Sequence, residues 1–190
     1  MTGTFRAESR VNVIPTACVV TLCTVIGVVW LLLHCWGPAT LGAMYVAVVS
    51  VPLTAIDVRE YRLPNALVLP GYAVATVGIL VARPAAWELV PLVLCPLLVI
   101  GTSLFGWYTT GLGMGDVKLA GLLAESLAAV MFQTGQLGTL FVRIGVWAFL
   151  IMIVVAVSGV CELFSTRRPM TDIALGPVFL SVFWFALFGV

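Results

Sequence analysis

Apolar residues run along this chain in long unbroken stretches, separated by short segments that hold most of its charges. Seven stretches stand out: about Val13–Leu33, Ala39–Ile56, Ala66–Val81, Trp87–Phe105, Asp116–Phe132, Leu140–Val160 and Ile173–Val190. Most approach the roughly 20 residues that a helix needs to cross a hydrocarbon core; the third and fifth are shorter. Strands of a membrane barrel alternate apolar and polar positions, and these stretches do not. Lipid offers the backbone no hydrogen-bond partner, so a spanning segment must satisfy its own backbone, as a helix does. The expectation is an all-α, polytopic membrane bundle of about seven transmembrane helices, with turns for loops. Residues 1–190 read as a single membrane domain.

Composition agrees with that pattern. Hydrophobic residues make up 62 % of the chain and charged ones 9 %, with a mean hydropathy of +1.19. A soluble chain of 190 residues could not bury this much apolar surface. The bilayer is thus the first expected partner. The net charge is +1 and no basic stripe is present, which gives no reason to expect a nucleic-acid partner. Cys18, Cys23, Cys35, Cys95 and Cys161 form no C-x-x-C pair, and His34 is the one histidine. Neither a metal nor another cofactor is expected; the cysteines read as small apolar packing residues. The first apolar run, Val11 to Leu33, exceeds a signal-peptide core and has no A-x-A site directly after it. It reads as an uncleaved span.

Loop charges set an orientation in the cell membrane. With the N-terminus in the cytoplasm, that face receives Arg6, Arg10, Arg59, Arg62, Lys118, Arg167 and Arg168. The opposite face receives Arg83, with Arg143 a little inside the membrane from it. This bias follows the positive-inside rule. It also brings the end of the second span, at Asp57, and the start of the fifth, at Asp116, to the same side.

Those two aspartates are the chemical candidates, because a carboxylate near hydrocarbon costs kilocalories unless paired, protonated or hydrated. By itself, Asp57 reads as a solvated residue just past a helix end. A helix C-terminus is a poor place for it, since the macrodipole there is negative. Pro64 lacks an N–H and is expected to open the third span. Arg59 and Arg62, in the connection, read first as headgroup anchors and second as receivers of an acidic substrate group. Asp116 follows alternating glycines, Gly111, Gly113 and Gly115. Glycine admits unusual backbone angles and close approach. The plain reading is a turn and an acidic first helical turn. Elsewhere, Glu125 and Arg143 are expected to form a structural ion pair, and Glu162 and Asp172 to be solvated.

Asp57 followed by Leu63-Pro64-Asn65, together with Gly113-Met114-Gly115-Asp116-Val117-Lys118-Leu119, resembles the type IV prepilin peptidases. These are membrane aspartic proteases of the G-x-G-D group. Ala174-Leu175-Gly176-Pro177 resembles the G-P motif of that family's last helix. The resemblance spans roughly Pro52 to the C-terminus. It implies a six-span peptidase core over residues 39–190, with residues 1–38 as an additional N-terminal transmembrane helix. Larger members carry a cytoplasmic domain with paired cysteines, associated with methylation of the new N-terminus. Lacking such pairs, this chain resembles a minimal, peptidase-only form.

The resemblance implies an aspartic endopeptidase that cleaves the leader of prepilin-like proteins at the cytoplasmic membrane face, after a glycine. Asp57 and Asp116 would hold one water between them. Two close carboxylates do not both ionise cheaply, so one proton is shared. Position at a helix N-terminus, beside Lys118, favours Asp116 as the base, which leaves Asp57 as the acid. Two other functions stay open: a small ion- or proton-coupled transporter, and a non-catalytic subunit of a pilus or secretion assembly. The oligomeric state is not legible, since apolar faces serve lipid and partner alike.

Overall fold

The computed structural model describes residues 13–110, 113–166 and 175–188, and it is all-helical over them. Seven α-helices follow in order: α1 Val13–His34, α2 Leu41–Glu60, α3 Asn65–Ala82, α4 Ala86–Thr110, α5 Met114–Gln133, α6 Leu140–Thr166 and α7 Gly176–Phe188. Each expected apolar stretch is one of these helices. Arg6, Arg10, Gly111, Arg167, Arg168, Asp172 and Ala174 lie outside the described residues, as does the side chain of Glu162. Among the described residues, four helical segments are long and apolar enough to cross a membrane: α1, α2 with the 3-10 turn Pro38–Thr40 before it, α3 and α4.

The shortness of the fifth stretch has a packing reason. Every residue of α5 from Leu119 to Met131 is buried. The helix is packed by α2, α3, α4 and α7, so it forms the axis of the bundle. A helix buried on all sides is apolar all round: Glu125 and Ser126 are the polar side chains of that run, and Asp116 and Lys118 precede it at the half-buried start of the helix. The outer helices show the reverse. On α4, Val90, Val93, Leu97, Leu98 and Phe105 are all at least half exposed. Helix α1 packs on α2 and α7, with Gly27 directly against the ring of Trp184.

Helix ends at one pole of the bundle follow local chemistry. Helix α2 ends where Tyr61 turns left-handed, at φ 52°, and gives its N–H to the Asp57 carbonyl at 2.8 Å. That conformation costs a non-glycine residue roughly 1–2 kcal/mol. Pro64 caps α3 with extended backbone, as its fixed φ and missing N–H allow. Pro52, Pro70, Pro91 and Pro96 lie inside helices; neighbouring elements can re-satisfy the freed carbonyls in a membrane bundle.

The expected pair of Glu125 with Arg143 is not formed. Glu125 accepts a hydrogen bond from Thr76 Oγ1 at 2.8 Å. Arg143 donates to the Ala186 carbonyl at 3.1 Å and to Gln136 Oε1 at 2.8 Å. Glu125 lies in the middle of α5 and turns toward α3, whereas Arg143 stands in the first turn of α6 and reaches the end of α7.

Candidate active site

Three helix ends and one turn converge at the pole where α2 finishes. The last turn of α2 supplies Asp57. The segment Tyr61–Asn65 leads into α3. The first turns of α5 and α7 supply Asp116 and Gly176. Between the end of α2, the turn and the start of α5 lies a cavity of about 390 Å³. Asp57 and Asp116 both line it, along with Arg62, Asn65, Gly113, Gly115 and Lys118. Tyr61, Leu63 and Met114 complete its wall.

The Asp57 carboxyl is held by backbone. Gly176 donates its N–H to Asp57 Oδ2 at 2.9 Å. The Asp116 N–H donates to the Gly113 carbonyl at 3.0 Å, which closes the first turn of α5. Asp57 is buried, 4 % exposed, and Asp116 is half-buried. The helix-end argument that made Asp116 the base and Asp57 the acid loses its asymmetry. Asp57 does sit in the last turn of α2, but its carboxylate meets the first amide of α7, a site that favours a negative group. Both members of the pair therefore face a helix N-terminus.

The glycines supply space rather than unusual angles. Gly113 has φ −63°, open to any residue. A Cβ on Gly113 would stand 2.8 Å from Asp116 Oδ2, and one on Gly176 would stand 2.8 Å from Asp57 Oδ2. A Cβ on Gly115 would stand 2.9 Å from the Cβ of Leu63 and 3.4 Å from its backbone N. The contacts at 2.8 and 2.9 Å are closer than real Cβ atoms come to their neighbours. Glycine here lets carboxylate, turn and helix start share one small volume.

The mouth is tied by Lys118, whose Nζ donates to Asn65 Oδ1 at 2.9 Å. This joins the start of α5 to the start of α3. Tyr72 on α3 adds a second tie, donating its hydroxyl to the Lys118 carbonyl at 2.6 Å. Nothing in the sequence singled out Tyr72, or Tyr61 as a cavity wall; tyrosine carries no local signal for either position. Of the two candidate arginines, Arg62 lines the cavity, while Arg59 is exposed and does not. Pro64 and Pro177 do not line the cavity; they stand at the start of α3 and in the first turn of α7. A proline there forgoes an N–H that would be an orphan in any case. Among the described residues, no three His, Cys, Asp or Glu side chains are grouped so that they could hold a metal ion.

The chemistry available is that of two carboxyl groups, one of them clamped by a backbone amide, beside a small polar hollow open at one pole of an apolar bundle. No protein-family model, curated protein or solved structure matches the chain.

Proposed function

We propose that this chain is a membrane aspartic endopeptidase, acting on proteins that carry a leader segment ahead of an apolar helix. The observation that carries this reading is the convergence of Asp57 and Asp116 on one cavity, with the Asp57 carboxyl fixed by the Gly176 N–H. Buried acidic groups facing each other in a cleft are a recurring mark of catalytic sites.

The bundle is read as seven membrane spans, with the cavity at the cytoplasmic headgroup level. Aromatic side chains support this. On α4, Trp87 near one end and Trp107 and Tyr108 near the other are exposed, and the two tryptophans stand about 30 Å apart along the helix axis. That distance matches the hydrocarbon core of a bilayer, and exposed Trp and Tyr favour its two interfaces. Tyr61, at the cavity, is exposed at the same pole as Tyr108.

In the reaction, a water held between the carboxyl groups attacks the scissile carbonyl carbon. The ionised carboxylate takes the water's proton, and the protonated carboxyl hydrogen-bonds the developing oxyanion. Collapse breaks the C–N bond, and the leaving amine receives a proton from the pair. Because the two sites titrate together, acid and base roles belong to the dyad. The peptide must be extended at the cut, and the space above Gly113 and Gly115 accommodates that. The clustered cations and the aspartates at one pole give the leader a polar site outside the apolar bundle.

The test is processing of a membrane-anchored protein with a short basic leader, placed in the same membrane as the full chain. A shortened product is expected with the unaltered chain and none with Asp57→Ala or Asp116→Ala. Full processing by either variant defeats the reading.

A further inference from the structure

A second hollow, of about 330 Å³, lies between α4 and α6, with α5 and α7 behind it. Its wall is almost wholly apolar. Leu98 and Phe141 line it and are half exposed, so it opens through the outer face of the bundle rather than at a pole. Thr102 on α4, Ala120 on α5, and Gly145 and Ala148 on α6 also line it. Small residues let a second helix backbone come close in lipid, where packing rather than water release drives association. Trp147, in the same wall and 4 % exposed, has an indole N–H with no acceptor.

Ala120 connects this groove to the carboxyl pair. It stands one helical turn beyond Asp116 on α5, so the two lie on the same helix face, about 6 Å apart along the axis. Asp116 lines the polar cavity and Ala120 lines the apolar groove. The groove therefore reaches to within one turn of the proposed scissile site.

We propose that this groove seats the apolar helix of the membrane-anchored substrate whose leader is cut at the dyad; the assignment rests on the peptidase reading above. A lipid chain would fill apolar volume, but a groove that ends one helical turn from a peptide-cutting site is what a helix joined to the scissile bond requires. Seating that helix lets binding energy far from the reacting atoms orient the peptide on the carboxyl pair.

Gly145 offers a clean test, because a Cβ there would meet nothing within 4 Å. Gly145→Leu and Ala148→Leu fill the groove from α6, and the Cβ added at Gly145 displaces no neighbour. Two substrates are compared in vesicles of phosphatidylethanolamine and phosphatidylglycerol: an anchored protein, and a short soluble peptide with the same leader and scissile sequence. Cleavage of the anchored protein should fall about tenfold or more while the peptide is cut at the unaltered rate. Equal loss on both substrates, or no loss on the anchored one, overturns the groove assignment. If the unaltered chain cuts neither substrate, the fault lies with the dyad, and a photoreactive residue in place of Ala148 then reads the groove alone. Adducts on the substrate's apolar helix are expected; adducts on lipid only overturn the proposal.

Discussion

The backbone N–H of Gly176 reaches Asp57 Oδ2 at 2.9 Å, across 119 residues of chain. The start of α7 is thereby fastened to the end of α2. The bond also gives Asp57 the electrostatic environment of a helix N-terminus, although it belongs to the last turn of its own helix. A methyl group on Gly176 would stand 2.8 Å from Oδ2 and 3.3 Å from Cγ of that carboxyl. Gly176→Ala should therefore displace the carboxylate and lower leader cleavage by about 10- to 100-fold, with the thermal unfolding midpoint in detergent little changed. An unchanged rate would mean that this contact does not position Asp57 for the reaction.

Gly115 faces backbone as well as side chain, at Leu63. Gly115→Ala should push the start of α5 away from the turn that leads into α3. Overpacking of this kind costs about 1–3 kcal/mol, which should appear as a lower unfolding midpoint. Leu63→Ala in the same chain should recover part of that loss. Two losses that simply add would mean that the contact is not shared.

Acid and alkaline limbs should bound the cleavage rate. Below the first titration of the pair both groups are protonated and no base is left; above the second both are ionised and no acid is left. The rate of leader cleavage against pH should be bell-shaped for the unaltered chain. A rate that rises to a plateau and stays there would contradict the shared-proton mechanism.

Glu125 is a third interior carboxyl group, bonded to Thr76 and not part of the cavity wall. Glu125→Gln keeps an oxygen for the Thr76 hydroxyl and removes the ionisable group. Cleavage should stay within about twofold, because the exchange preserves the acceptor. A chain that lost its activity with this change would instead fit the proton-relay reading, in which membrane-interior carboxyls carry the function.

How much of this could be read from the residues depends on distance along the chain. All seven helices were legible because an apolar run is a local property, and α1 runs Val13–His34 against an expected Val13–Leu33. Asp57 and Asp116 were legible because charge stands out against an apolar background and loop charges place both at one pole. The Gly176 contact was not, since no local pattern tells which helix start will meet which carboxyl. The same holds for Glu125 and Arg143: sequence places them on neighbouring segments but fixes neither depth nor direction. The structure turns one toward Thr76 and the other toward Ala186. Tyr61 was missed for a different reason, because a left-handed helix end is usually marked by glycine or asparagine and here it is not.

The central claim is that the side chains at positions 57 and 116 share one space. Asp57→Cys and Asp116→Cys, combined in a full-length chain whose native cysteines are replaced by serine or alanine, can be bridged in vesicles by a short thiol-specific cross-linker. A high yield of intramolecular bridge, formed with a leader-bearing substrate present as well as without it, is the predicted result. No bridge in either state, with each thiol labelled from a different side of the bilayer, would contradict the account.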